Sequence, residues 1–393
     1  MISSDGRQNC QVATRLWRFS YFHIVQQNEH PTICIAFSAL SHIPRHCFRT
    51  DDHINKGFWD TSRTTMDAVP LKFVDSVVEL FSRRTLDRLK QEVRHRCWKP
   101  VVDLHYRNRV YYNVEFWEDA SGIKHIFRNI TSNVNTREPD LSVSVPTLLK
   151  NRRFARIVEI KRDGESFFMH WEKVKPLGEA ETGRLVELAA SLIDQVSGSF
   201  DFLYGSPDCA KLLVTSLFKR VYLQIIRVQY CGQISYDFLE DQVNNSPFLS
   251  IVMITGKKWP LCSLELLSNF CLTGRPGKHV RVYLNSGNRN AITSNYIQKM
   301  FDLWKANGNL NFSLYFSRGV VDKEKLLALM NQGQVTWRSS TRRAWRQSFF
   351  KHETEKSLAV ISDCEYLIEC YTCECDRFKE CLLKKKYRQH HIF

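Results

Sequence analysis

Five cysteines crowd the C-terminus, Cys364, Cys370, Cys373, Cys375 and Cys381, and His390 and His391 follow them. Thiolates and imidazoles are the ligands zinc prefers, and Cys370-x-x-Cys373 has the spacing of a zinc knuckle. Strand geometry argues against that pair, because Cys373 and Cys375 would share one face of a strand while Cys370 points to the other. A second paired knuckle at the usual distance is missing. The sequence therefore predicts free thiols packed as small apolar groups, with no metal and no cofactor. Near the N-terminus, His23, His30, His42, His46 and His53 scatter among cysteines and aromatics, and no pair of them is ligand-spaced.

No spacing nominates a base and a nucleophile. The sequence carries no P-loop, GxGxxG, HExxH, GxSxG or kinase signature, so the chain is not expected to be an enzyme. A second set of residues points to binding instead. Lys257, Lys258, Trp259, Arg289, Arg318, Trp337, Arg338, Arg342 and Arg343 fall at or near expected strand ends or in the loops after them. In an α/β array such loops gather on one edge, the usual place for a ligand. Arginine beside tryptophan can grip acidic peptides, phosphates or nucleic acid. Lys257, Lys258, Trp259, Arg289, Arg318, Trp337 and Arg338 are the candidate target-binding residues, and the plainer reading is solvated turns.

Those residues need elements to position them. Short strand-like runs at 156–160, 200–204, 222–228, 249–254, 280–284 and 311–316 alternate with amphipathic helical stretches at 181–196, 207–218, 236–243, 261–270, 294–304 and 323–330. Glycines follow the strands at Gly164, Gly205, Gly232, Gly256, Gly287 and Gly319, where a tight turn is needed. Strands alternating with helices imply parallel pairing through right-handed crossovers. The uneven period suggests a degenerate, leucine-rich-repeat-like α/β solenoid, with an open α/β sheet as the other possibility. Before this region, Val110–Trp117 and Ile123–Ile130 predict a β-hairpin across Asp119-Ala120-Ser121-Gly122. After it, Ser357–Ile361 and Tyr366–Thr372 predict an antiparallel pair, and Arg377–Tyr387 a basic terminal helix, together a cap for the last repeat.

The stretch Asp67–Trp98 is the most patterned of all. Val69-Pro70 sets an entry, since proline suits the first turn of a helix. Phe73, Val74, Val77, Val78 and Phe81 make one apolar face. Leu86, Leu89 and Val93 face inward on a second short helix, and Pro100 is expected to stop the pattern. This stretch resembles an F-box, the helical module that docks a protein onto the Skp1 adaptor of a cullin ubiquitin ligase. The F-box pattern runs leucine-proline, an acidic residue, an apolar pair, Ile-Leu, Leu, a later Leu-x-Arg-Leu and a closing tryptophan. Val69-Pro70, Phe73-Val74, Val77-Val78, Phe81 and Leu86-Asp87-Arg88-Leu89 sit at those offsets. Lys72 stands where the acidic residue lies, and Val93 and Trp98 fall one residue late. From Met66 the chain is also similar to a large set of F-box-like proteins expanded in nematodes. The alternative from the residues alone is an amphipathic helical hairpin belonging to the domain core.

At 393 residues the chain has room for two or three domains. With 43% hydrophobic and 25% charged residues it matches globular usage, which excludes widespread disorder. A net charge of +15 favours acidic partners without defining one. No apolar run is long enough to span a membrane and no apolar signal region opens the chain, so an intracellular, reducing setting, cytoplasm or nucleus, is expected. The expected organisation is a poorly ordered leader (1–65, with Met66 as the natural start), an F-box-like helical module (66–105), a β-hairpin and connection (106–150), a β/α repeat domain (151–340) and a C-terminal hairpin and helix cap (341–393). The fold class is thus mixed α+β and α/β.

The resemblance implies a substrate-recognition adaptor of an SCF-type ubiquitin ligase. Val69, Pro70, Phe73, Val77, Phe81 and Trp98 would meet a Skp1-like partner and the repeat domain a protein target. A nucleic-acid-binding module using the basic loops is the second reading. A scaffold that no longer binds Skp1 is the third.

Overall fold

The computed structural model describes residues 70–131, 142–162, 171–256, 258–285, 293–316, 322–340, 343–363, 366–378 and 380–392, all within one compact unit, Pro70–Phe393. The expected leader and Val69 lie outside the described residues. Three helices come first: α1 (Leu71–Glu79), α2 (Arg83–Glu92) and α3 (Trp98–Asn108). α1 buries Val74, Val77 and Val78, the face set by the three- and four-residue spacing. Ser82 starts α2, its hydroxyl accepting the Thr85 amide at 3.3 Å. Pro100 does not stop the pattern as expected. It stands in the first turn of α3, where a missing amide takes nothing from the helix.

The hairpin β1 (Val110–Asp119) and β2 (Gly122–Asn129) follows, across the expected turn. Strands and helices then alternate: α4 (Val145–Lys150), β3 (Ala155–Arg162), α5 (Glu179–Ala190), β4 (Ser199–Phe202), α6 (Pro207–Leu217), β5 (Ile225–Gln229), α7 (Gln233–Asn245), β6 (Ile251–Thr255), α8 (Cys262–Cys271), β7 (Val280–Asn285), α9 (Ser294–Asn307), β8 (Phe312–Phe316) and α10 (Lys323–Met330). The turns after β4, β5 and β6 pass through Gly205, Gly232 and Gly256 at φ of +138°, +120° and +100°, a backbone that side chains rarely adopt.

All twelve strands form one open sheet, in the order β2-β1-β3-β4-β5-β6-β7-β8-β12-β11-β10-β9. β1 pairs antiparallel with β2 on its outer side and parallel with β3 on its inner side, and from β3 to β8 each neighbour is parallel and the next strand in sequence. The register lines up Ile226, Val252, Val282 and Leu314 in one row, and Val228, Ile254 and Leu284 in the next. These rows share the main core with the buried faces of α5 to α10. Consecutive helices α5 to α8 also pack side by side in strand order.

The sheet continues through β9 (Gln334–Ser340), β10 (Arg343–Lys351), β11 (Ser357–Ser362) and β12 (Tyr366–Thr372), all antiparallel. β12 pairs antiparallel with β8. The β11–β12 pair matches the sequence reading. The β9–β10 hairpin was not expected and straddles the proposed boundary at 340/341. Its alternation is hidden by Arg338 of the edge strand β9 and by Arg343 and Arg346 of β10 beside it. The terminal helix is shorter than the expected 377–387: α11 spans Leu382–Lys386 only. It lies with Phe349, Leu358, Val360, Tyr371 and Tyr387 in a second small core. Those strand residues have the opposite parity to Ala359, Ile361, Ile368 and Cys370 of the main core, so this core is on the other face of the sheet. No helix among the described residues is long and apolar enough to cross a membrane.

Candidate functional site

The helical module is tied to the sheet by arginines. Arg109, 2% exposed, donates to the carbonyls of Val78 and Glu79 at 3.1 Å each and to that of Phe81, closing the C-terminal end of α1. Arg83 reaches Ile130 and Thr131 carbonyls beside β2, and Arg156 of β3 pairs with Glu79 at 3.0 Å. His105 Nε2 lies 2.8 Å from Asp75, which Arg153 also meets at 2.7 Å. Burial, with Arg109 beside it, lowers the His105 pKa against the pull of Asp75.

The structure divides the expected docking residues. Val77 and Trp98 are buried, at 6% and 1% exposure, so both belong to this chain's own core and not to a partner face. That corrects two of the six positions. The apolar period of a helix shows which residues share a face but not which face a partner takes. Pro70 is exposed, and Phe73 and Phe81 are half-buried. Leu80, 51% exposed, falls seven residues after Phe73 on the same side of α1, and Leu71 is 60% exposed at its start.

Among the described residues, the expected target residues do not assemble. Lys257, Arg289 and Arg318 lie outside the described residues, as does Arg342. Lys258 is exposed. Trp259 is 5% exposed and donates its indole N–H to the Thr255 carbonyl at 2.7 Å, so it closes the turn after β6 and presents no stacking face. Trp337 and Arg338 are mid-strand on β9, not in a loop, and Arg343 opens β10. β6 and β9 are six strand spacings apart, about 29 Å at roughly 4.8 Å each. Trp337 is 70% exposed, with the Arg346 guanidinium 5.6 Å over its ring.

What the sheet does assemble is a polar and aromatic second face over β1 to β8. Arg128 meets the Glu115 carboxylate through two nitrogens at 2.9 Å each, Lys161 bridges Glu115 and Glu159 at 3.6 and 3.1 Å, and Arg227 pairs with Asp201 at 2.8 Å. Tyr283 and Tyr315 stack with ring centres 4.3 Å apart, and Arg281 beside them is exposed. Over β8 to β10 this face is covered by the chain after β12. Glu369, 3% exposed, accepts from Lys386 at 2.5 Å, Tyr387 at 2.6 Å and Tyr371 at 3.0 Å. Burial opposes ionisation of Glu369, but Lys386 and the two phenols outweigh it and hold the carboxyl below its usual range.

The end of the covering segment gathers chemistry that the sequence reading dispersed. Cys373, Cys375, Cys381 and His391 bring their ligand atoms within 4.8 Å of one another. His391 Nε2 is 3.2 Å from the sulfur of Cys373 and 3.2 Å from that of Cys375. Cys370 is fully buried in the main core, on the opposite face, as strand alternation required. Packing of free thiols accounts for Cys370, and Cys381 and Cys373 also pack in or against the second small core, whereas Cys375 is exposed and joins them only through the cluster. Cys364 lies outside the described residues.

No protein-family model matches this chain, and no curated protein matches it.

The four-donor cluster has a sequence signal: Cys373-x-Cys375 places two thiols one residue apart just past the end of β12, with Cys381 and His391 further on. A search for paired Cys-x-x-Cys knuckles passes over it, because the pairing comes from the chain doubling back through α11.

Proposed function

We propose that the chain is a non-enzymatic recognition subunit. Its α1–α3 module docks on a Skp1-like adaptor, and the second face of its sheet holds a protein target near a ubiquitin-charged enzyme. Raising effective concentration in this way requires no chemistry from the chain itself. The observation that carries the target half is the asymmetry of the sheet. One face is sealed by α5 to α10, and the other presents Arg227, Arg281, Tyr283 and Tyr315 along β5 to β8, with Arg281 exposed. Sequential strand order and neighbouring helices support reading residues 151–340 as a leucine-rich-repeat-like solenoid, whose second face is the usual binding surface.

The docking half rests on the F-box-like pattern, on exposed Pro70, Leu71 and Leu80, and on half-buried Phe73 on the same side of α1 as Leu80. Commitment of Val77 and Trp98 to the core favours the scaffold reading, in which the module serves only this fold. Co-expression of the chain with Skp1, followed by size-exclusion chromatography, separates the two. A 1:1 complex abolished by Phe73→Asp with Leu80→Asp is the expected result. A folded chain that elutes alone rejects the adaptor role and leaves the scaffold. The nucleic-acid reading loses Trp259 to the core and has no assembled basic edge among the described residues.

A further inference from the structure

We propose that Cys373, Cys375, Cys381 and His391 bind one tetrahedral zinc ion, which fastens the C-terminal segment across the second face of the sheet. The donor set fits the metal. Three thiolates and an imidazole are soft and borderline ligands, which select zinc over magnesium or calcium. Zinc–sulfur bonds of about 2.3 Å and zinc–nitrogen bonds of about 2.0 Å give tetrahedral edges of about 3.5–3.8 Å. The cluster lies close to that size, with all four ligand atoms within 4.8 Å of one another and both sulfur–nitrogen pairs at 3.2 Å. All three cysteines are free thiols, so none is taken up by a disulfide.

The frame around the cluster is preorganised. Glu374, between two of the cysteines, is 4% exposed, and its carboxylate accepts from Asn311 Nδ2 and from the Gly277 amide at 2.7 Å each. That peg fixes the backbone from which Cys373 and Cys375 project on either side. The Glu374 amide donates to the Cys381 sulfur at 3.4 Å, the kind of bond that favours a thiolate. Cys373 is further held by its own amide, which donates to the Lys356 carbonyl at 2.7 Å. A site with three thiolates, a neutral imidazole and Zn²⁺ carries one net negative charge, and the positive charges of Lys356 and Lys384 act on His391 at its rim.

The ligands bracket the covering segment. Cys381 precedes α11 and His391 follows the turn Arg388–His390, so Leu383, Lys386, Tyr387 and His390, which meet the second face, lie between them. Within that interval Lys386 and Tyr387 meet Glu369, and the His390 ring stacks on Phe349 at 3.9 Å. A metal joining the two ends to β12 makes this interval a closed loop.

The test starts with the full chain purified under reducing, chelator-free conditions and analysed for bound metal. About one zinc per chain is expected, and Cys375→Ser with His391→Ala should lower it at least tenfold. Wild-type chain stripped of metal and titrated with Co²⁺ should give thiolate-to-cobalt charge-transfer absorption and the visible bands of a tetrahedral ion. This reading does not depend on a variant that folds. Wild-type chain that carries no zinc and gives no tetrahedral cobalt spectrum overturns the site. A folded double variant that keeps its full zinc overturns the assignment to these residues. Amide exchange across 382–391 should accelerate at least tenfold on metal removal, and unchanged exchange overturns the fastening role.

Discussion

Arg109 donates from its guanidinium to Nδ1 of His105 at 2.9 Å. Arginine cannot accept, so His105 must be the neutral tautomer with its proton on Nε2, aimed at Asp75. One buried cation thereby sets a histidine's proton and closes three carbonyls at the end of α1. Replacing Arg109 with Met keeps the stem and removes every donor. The expected loss is on the order of 3 kcal/mol, from carbonyls left buried without partners. Denaturant unfolding of the two proteins measures it, and a change below about 0.5 kcal/mol would show that water fills the gap.

Two other histidines make stability depend on pH. Burial pushes His125 and His279 down to about 4, and the Nδ1 of each is buried without a partner. The unfolded chain protonates them near 6.5, so between about 6.5 and 4 it binds more protons than the folded chain. Stability from these groups is full above 6.5 and falls as pH drops through that window, by up to about 1.4 kcal/mol per pH unit for each histidine. His125 lies between the Phe116 and Phe127 rings, and His125→Phe should flatten one such slope with little loss at pH 8. Equilibrium unfolding at several pH values reads the slope, and an unaltered curve in the variant refutes the assignment.

Glu369 acts in a lower window. Its carboxyl is held below the ordinary value, so its contribution is present above about 4.5 and lost as pH falls below that. Glu369→Gln leaves Lys386 without its anion and should lower stability at pH 7 by about 2 kcal/mol. The gap between variant and wild type should narrow as the medium is acidified toward pH 3. A constant difference across that range would mean the carboxylate is not ionised in the folded chain.

Gly274 tests the peg beneath the cysteines. A Cβ there would stand 2.0 Å from the Asn311 carbonyl oxygen, a backbone atom that cannot swing aside. Asn311 in turn holds Glu374 and accepts the Thr372 amide at 2.6 Å. Gly274→Ala should therefore destabilise by about 1–3 kcal/mol and loosen β12. Thermal unfolding together with amide exchange at Thr372 gives the answer. A variant with unchanged melting and exchange would show that the loop relaxes at no expense.

Much of the architecture was legible because local patterns and tertiary structure agree. Each expected strand between 156 and 316 is present within a few residues, and Gly205, Gly232 and Gly256 mark turns with positive φ, while Gly164, Gly287 and Gly319 lie outside the described residues. The readings failed where one residue type has two structural uses. Pro100 reads as a stop but sits where a helix lacks acceptors anyway. Trp259 reads as a surface aromatic but its N–H completes a turn. Val77 and Trp98 belong to a helix whose pattern shows an apolar face without naming its neighbour. The Cys373 cluster required knowledge of how the chain reverses after Cys381, and no local periodicity carries that.

The strand order also bears on how the chain is completed during synthesis. After β8 the polypeptide makes β9 at the far margin and works back strand by strand, so the slot beside β8 stays open until β12 is made. β9, β10 and β11 reach the parallel part of the sheet through β12 alone. A product ending before Tyr366 would therefore expose two unpaired margins at once, one on β8 and one on β11. Each is a ready template for another chain. The last strand is a keystone, and premature termination just before it should yield aggregation rather than a shorter working protein.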